Sequence, residues 1–425
     1  MKIIHYCLGL PPFATGGLTI YARDLANAQK IDNDVYMIYP GMNKDKLSLK
    51  KINNKYHINL YRLDGVLPCA LTYGVKEPLD FIGNKPIEEV EKVFRDFENV
   101  DVLHLHTIQG LYPEIIEYFK NCGTKIIYTT HDFYPFSLTT KYYDDYLLNE
   151  KNNIIQSIKA PSTNALYLNR KPYVNNLKKI KFIKKIFNKH VKENKDLKYD
   201  EEYAKEYIVK SNKLYSFYDY MLSNVDLIHA NSSLSAEIYK KHFSNIKTLD
   251  ITHEGIKKND IDKYKKCYLN IGFFGEQLKD KGFNLLLDLL DDIYKKNNSF
   301  KLLCYGYSNL YDKPYLDYMG PYKFKDLKEI HKTLDLVVFP AENIESFGFI
   351  VLESLAYKTP VIVSKNVGAK DFCNKDYIVN DRLELKDLLE KVINDKNYLN
   401  DYFNYDLKID DFRNHNDLVI KELYK

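Results

Sequence analysis

Two glutamates eight residues apart, Glu345 and Glu353, stand in the segment Pro340-Ala-Glu-Asn-Ile-Glu345-Ser-Phe347-Gly348-Phe-Ile-Val-Leu-Glu353-Ser-Leu-Ala, with Pro360-Val-Ile-Val following. A carboxylate accepts two hydrogen bonds at once, so a pair of vicinal hydroxyls is its natural partner. Ser346 has the side chain of a helix N-cap, which predicts Glu345 in the loop before a helix and Glu353 nearly two turns inside it. On one continuous helix the two carboxylates would point about 80° apart. With Glu345 outside the helix, both can line one wall of a cleft. The plainer alternative is two solvated acids at a helix end.

Other residues invite chemistry less strongly. Pro11-Pro12-Phe13-Ala14-Thr15-Gly16-Gly17 follows an apolar run and enters a helical pattern, so Gly16 and Gly17 would let backbone N–H groups approach an anion; an ordinary turn reads the same way. His104 and His106 share one strand face and, with His131, raise the question of zinc, though hydrogen-bonded histidines near a cleft account for them better. No metal is therefore expected. Asp32-Asn-Asp34 and Asp260-Ile-Asp262 have metal-diphosphate spacing but lie among loop or lysine-rich residues and read as solvated turns. There is no Gly-x-Gly-x-x-Gly after a strand and no Gly-Lys-Ser/Thr, which argues against dehydrogenases and P-loop NTPases.

The elements that must carry these residues are visible as alternation. Apolar runs at Lys2–Leu8, Val35–Tyr39, Ile58–Leu63, Val102–His106, Lys125–Thr130 and Leu227–Ala230 alternate with helical patterns such as Leu18–Gln29, Pro86–Phe97 and Ser233–His242. From Tyr268 the rhythm restarts with runs at Leu269–Phe274, Phe300–Tyr305, Leu336–Phe339 and Pro360–Ser364, separated by helices at Gly282–Tyr294, Phe324–Thr333 and Phe347–Tyr357. This predicts an α/β protein of two doubly wound, Rossmann-like domains, with ligands at the carboxyl ends of the strands. The first domain is placed at 1–256, with an insertion at about 133–224 that lacks strand patterns, and the second at 257–405. A C-terminal helix over 406–425 is expected to return to the first.

The 425 residues carry 45% hydrophobic and 28% charged side chains and a net charge of +4, which excludes disordered and disulfide-scaffold classes and gives no global reason for nucleic acid. Six scattered cysteines without a Cys-x-x-Cys pair read as buried thiols of a reducing, cytoplasmic setting. No run reaches the roughly 18 apolar residues of a membrane span, and the start does not read as a signal peptide.

Taken together, the Glu345-x7-Glu353 segment, Gly16-Gly17, Asp101-Val-Leu-His-Leu-His106, Thr130-His131-Asp132, Gly272-Phe-Phe-Gly275 and Lys281-Gly282 resemble, in order, the signature of GT-B-fold retaining glycosyltransferases of family 4, the glycosyl transferases group 1. The resemblance implies two Rossmann-like domains facing a central cleft, a nucleotide-sugar donor, no required metal or other cofactor, and a glycan or lipid-linked acceptor. It also implies roles. Glu353 would hold the ribose hydroxyls and Glu345 the donor sugar, with the Phe347 and Gly348 backbone beside it. Lys281 would meet the diphosphate, with Gly16 and Gly17 facing it from the other domain, and His131 would stand at the donor sugar and the reacting centre.

One position departs from the family: Glu276 stands where an arginine usually follows the glycine matched by Gly275. Losing such a cation typically costs several kcal/mol of transition-state stabilisation, unless Lys279 or another base substitutes. The expected function is sugar transfer with retention in bacterial cell-surface polysaccharide or glycolipid synthesis. A non-catalytic partner or acceptor-recognition subunit of the same fold is the alternative, and a sugar-nucleotide epimerase a third. Ten basic residues against one acid between Arg170 and Lys195, with Leu177, Ile180, Ile183, Phe187 and Val191 at helical spacing, describe a basic amphipathic stretch. Its expected uses are peripheral docking of 177–191 on an anionic inner membrane face, or an ordinary helix with lysines in water.

Overall fold

Ile3, Ile4 and Tyr6 of the first apolar run are all buried, as a strand covered on both faces requires, and the same holds for Val102–Leu105, Leu336–Phe339 and Val361–Ser364. The computed structural model describes residues 1–11, 14–41, 46–70, 74–139, 141–169, 200–257, 259, 261–264, 267–275, 279–306 and 311–425. Glu276, the whole basic stretch 170–195 with 177–191 inside it, and Asp260 lie outside the described residues. Contacts divide the chain into two units: Met1–Asn231, Ala236–Leu249 and Asn416–Lys425 form the first, Ser232–Ser235 and Asp250–His415 the second.

Unit 1 is built on an eight-stranded sheet of order β3-β4-β2-β1-β5-β6-β7-β8. The strands are β1 Lys2–Tyr6, β2 Asp34–Pro40, β3 Ser48–Ile52, β4 Asn59–Asp64, β5 Val102–Leu105, β6 Lys125–Thr130, β7 Leu227–Ala230 and β8 Ile246–Thr248. Every pairing is parallel except β3 with β4. The edge strand β3 was not expected. Its Ser-Leu-Lys-Lys-Ile sequence has no fully buried residue, and lysines on an open edge discourage further pairing. Helices Tyr146–Lys159, Thr163–Asn169 and Glu201–Ser223 occupy the described part of the expected insertion. The last starts where Asp200 accepts a hydrogen bond from the Glu202 amide and buries Ala204, Tyr207, Leu214, Tyr218 and Met221 along one face.

Unit 2 has a six-stranded sheet of order β11-β10-β9-β12-β13-β14, parallel throughout. Its strands are β9 Leu269–Phe274, β10 Phe300–Tyr305, β11 Leu316–Gly320, β12 Leu336–Phe339, β13 Val361–Ser364 and β14 Ile378–Val379. Cys7, Cys69, Cys304 and Cys373 are buried thiols, but Cys122 is only partly covered and Cys267, in the polar segment before β9, is exposed, which corrects the expectation of six buried thiols. Among the described residues no helix is long and apolar enough to cross a membrane.

Candidate active site

The helix expected to start at Phe347 starts at Phe349 and runs to Ala356, with Gly348 as its N-cap at φ 95°. Ser346 is therefore not the cap, and Glu353 lies in the second turn, nearer the helix mouth than the spacing suggested. The reason is a commitment made about twenty residues further on. The Glu345 amide donates to the Asn366 carbonyl (2.8 Å), the Gly368 amide to the Glu345 carbonyl (3.0 Å) and the Ala369 amide to the Phe347 carbonyl (2.8 Å). Backbone groups paired in this way cannot also enter a helix, so the chain turns only at Gly348. A β-carbon there would stand 2.9 Å from the Val367 side chain, and its left-handed φ disfavours any other residue. Phe347 anchors the loop, 3% exposed against Phe349 and Phe372.

The turn that carries Lys281 is sewn to the same loop. The Glu342 and Asn343 amides both donate to the Asp280 carbonyl, at 2.9 and 3.2 Å. Gly282 then passes so close to the loop that a β-carbon would lie 1.9 Å from the Pro340 carbonyl oxygen. Asn366 supports the loop from the other side, its amide nitrogen donating to the Ala341 and Glu342 carbonyls at 3.2 and 3.1 Å. The result is a direct ion pair between the Lys281 ammonium and the Glu345 carboxylate, both partly exposed. Lys281, Glu345, Phe347 and Gly348 are thus brought together. Opposite charges in contact can receive an anionic ligand on the ammonium and hydroxyls on the carboxylate.

Glu353 has a different partner. Its Oε1 lies 3.1 Å from His253 Nε2, and the Glu353 side chain stays 13% exposed. His253 was not singled out in the sequence; it follows no motif and lies just ahead of the linker. Its ring meets Phe349 and Phe324 edge-on, at 4.9 and 5.3 Å between centroids. Burial first, and then the Glu353 charge, push the Tyr322 and Tyr357 hydroxyls above their ordinary range. The His253–Glu353 pair therefore stands against aromatic rings, Phe324 and Phe349, a setting suited to a flat ring with hydroxyls attached.

In unit 1, Gly16 (φ 123°) caps the Gly17–Gln29 helix, whose first turn carries no acid, an arrangement that favours an anion. One turn on, the Tyr21 ring lies 5.4 Å from that of His131. His131, half-buried, ends a row of buried histidines: its Nε2 is 3.1 Å from His106 Nδ1, and His106 Nε2 is 3.0 Å from His5 Nδ1. Burial lowers His131 to about 3 and His5 to about 4, so both rings are neutral at pH 7. The ligand nitrogens of His5, His104 and His106 approach within 4.8 Å of one another, close enough for a metal site. Each of these nitrogens is, however, engaged by another protein group.

Separately, the insertion helices enclose a cavity of about 550 Å³ whose wall includes Tyr142, Tyr146, Asn149, Tyr215 and His242.

Residues 254–407 match the family described as Glycosyl transferases group 1. The chain carries a family 4 glycosyltransferase domain. The Lys281–Glu345 pair and Glu353 all fall inside it. No curated protein matches the sequence. Among solved structures, HepE from Anabaena in complex with UDP and glucose shares 12% identity and a TM-score of 0.53, over 100% of this chain and 99% of that one. The sucrose-phosphate synthase of Thermosynechococcus elongatus shares 12% identity at TM-score 0.54, over 100% and 95%. WaaG, a glycosyltransferase involved in lipopolysaccharide biosynthesis, shares 11% at TM-score 0.54, over 99% of both chains. The fold is GT-B. Residues 254–407 are thus a glycosyl transferases group 1 domain, the domain of retaining, family 4 enzymes.

Proposed function

We propose that unit 2 holds the donor with Glu353 on the ribose hydroxyls, Lys281 on the diphosphate and Glu345 on the sugar, and that the sugar passes to an acceptor hydroxyl with retention. The observation that carries this reading is the sewn loop: one set of backbone bonds fixes Lys281 beside Glu345, and Glu353 follows in the next helix. As the diphosphate leaves, negative charge grows where the Lys281 ammonium waits, and the carboxylate of Glu345 keeps that ammonium in place until then. Gly16 and Gly17 are assigned to the diphosphate and His131 to the donor sugar. HepE has been crystallised with UDP-glucose, which favours a uridine donor. The test is a screen of the purified protein against UDP-, GDP- and ADP-sugars for release of nucleoside diphosphate. Turnover of any donor excludes a non-catalytic partner, and failure with all of them refutes the enzyme reading.

The acceptor is proposed to be a glycan or a lipid-linked glycan of a bacterial cell-surface polysaccharide or glycolipid. WaaG acts in lipopolysaccharide biosynthesis, and the sequence of 177–191 pairs an apolar stripe with lysines. Docking through that stretch is worth about 1 kcal/mol per lysine near an anionic surface and is screened over about 8–10 Å. The protein is expected to sediment with vesicles rich in phosphatidylglycerol at low salt and to be released by salt, or by replacing Lys178, Lys181, Lys184 and Lys185 with Gln. No sedimentation at low salt refutes the membrane role.

A further inference from the structure

The histidine row of unit 1 extends well past His131, and its members come from one face of the sheet. Parallel register sets His5 of β1 opposite His104 of β5 and Thr129 of β6 opposite His229 of β7. His106 is two residues beyond His104 and so shares its face. Gln29, at the end of the Gly17–Gln29 helix, and Tyr424, in the turn of π-helix Ile420–Tyr424, close onto the row and are buried with it.

Hydrogen-bond distances join these groups into one series, within which the Tyr424 hydroxyl also lies 3.4 Å from Gln29 Oε1, a longer contact than its 2.7 Å to His104. His229 Nε2 is 2.7 Å from the Leu249 carbonyl oxygen, and His229 Nδ1 is 2.8 Å from Thr129 Oγ1. Thr129 Oγ1 is 2.6 Å from His104 Nε2, and His104 Nδ1 is 2.7 Å from the Tyr424 hydroxyl. Gln29 Nε2 reaches that hydroxyl at 3.2 Å, and Gln29 Oε1 is 2.9 Å from His5 Nε2. The two His–His contacts already described complete the path to His131.

The direction of every bond follows from one end. A carbonyl oxygen only accepts, so His229 carries its proton on Nε2, and in a neutral ring Nδ1 must then accept. Thr129 therefore donates to His229 and has only lone pairs left for His104, which donates from Nε2. His104 Nδ1 now needs a donor, and Tyr424 supplies it. The tyrosine oxygen in turn accepts from the Gln29 amide nitrogen, which turns Gln29 Oε1 toward His5. The same logic protonates Nε2 of His5, of His106 and finally of His131. Burial supports the neutral state throughout: His229 falls to about 4 and His104 and His106 well below the ordinary imidazole value.

We propose that this relay, anchored on the Leu249 carbonyl, fixes His131 as the Nε2–H tautomer, with Thr129, His104 and Tyr424 as positioning residues. His131 Nδ1 is then an acceptor in every molecule, able to take a hydrogen bond or proton from a hydroxyl and unable to donate one. A histidine free to switch tautomers would present the wrong nitrogen chemistry part of the time. Any consequence for turnover rests on the role proposed above for His131; the tautomer itself does not.

The experiment is two-bond ¹H–¹⁵N spectroscopy of the full-length protein labelled at histidine, near pH 7.5, with the His131 signal assigned by its loss in His131→Gln. The wild type is expected to show a neutral His131 protonated on Nε2 alone. Tyr424→Phe and Thr129→Val each cut the relay and are expected to give a mixture of tautomers at His131 in a folded protein, while Thr129→Ser restores the single form. Where the mixture appears, kcat should fall in proportion to the fraction in the wrong form, roughly twofold for an even mixture, with donor KM unchanged. If Thr129→Val does not fold, Tyr424→Phe carries the test, since it removes one oxygen and keeps the ring. A wild-type His131 protonated on Nδ1, or charged, overturns the proposal. So does an unchanged tautomer in Tyr424→Phe, or a stoichiometric metal ion lost in His5→Gln, which would mean that His5, His104 and His106 are ligands. A tautomer mixture without change in kcat upholds the relay and instead overturns the role of His131 in transfer.

Discussion

Glu345→Gln is expected to lower sugar transfer by about 10²–10³-fold, the usual cost of removing one electrostatic contact made to the reacting centre. Nucleoside diphosphate affinity should be unchanged or slightly improved. In the wild type the Glu345 carboxylate occupies the Lys281 ammonium, and glutamine leaves that charge available to phosphate. Steady-state kinetics together with nucleotide titration separate the two effects. Parallel losses in both would mean that Glu345 supports the fold of the loop and not the sugar.

The second large effect concerns acid. His5 and His229 are lowered to about 4, His131 to about 3, and His104 and His106 well below 6.5, in each case chiefly by burial. Each folded-state value lies below the unfolded one near 6.5, so in the window beneath it the unfolded chain binds more protons, and stability falls as pH falls. At pH 5 each imidazole costs about 2 kcal/mol of stability, so five together approach the whole of an ordinary domain's 5–15 kcal/mol. Asp132 and Glu114, raised by burial, work the other way, because their folded forms take up protons first. Asp250 and Glu342, also raised by burial, join them, while His331 and His242, also lowered by burial, join the histidines, so the histidines still outnumber these carboxyls. Denaturant melts from pH 7.5 to 5 should therefore show a steep loss of stability that begins near pH 6.5, with little change above it. A flat profile down to pH 5 would mean that the histidines titrate normally in the folded state.

How far the sequence reaches can be judged from particular residues. Glu345, Glu353, Lys281 and the glycines between them were legible because they sit on one short segment or follow a strand at a fixed interval. The alternating apolar runs gave the central strands of both sheets for the same local reason. The start of the Phe349–Ala356 helix was not legible, because the hydrogen bonds that hold 345–347 out of it come from 366–369. His253 was missed because only the fold brings it to Glu353. The histidine relay shows the boundary most clearly. His104, His106 and His131 could be read as one group from strand alternation, whereas adding His5, His229 and Tyr424 requires the register of four strands and the path of a helix hundreds of residues away. A polar residue alternating within an apolar strand was the one local signal present, at His5 and His229, and period alone does not say what it faces.

Unit 2 is proposed to hold a nucleoside diphosphate through Glu353. Calorimetric titration of the wild-type protein and of Glu353→Ala with UDP, GDP and ADP tests it most directly. One of the three is expected to bind the wild type, and the variant, melting at the same temperature, to bind it roughly 10- to 150-fold more weakly, the equivalent of about 1.5–3 kcal/mol for a charged hydrogen bond. Binding of equal strength by both proteins, or of none of the three nucleotides by the wild type, would contradict it.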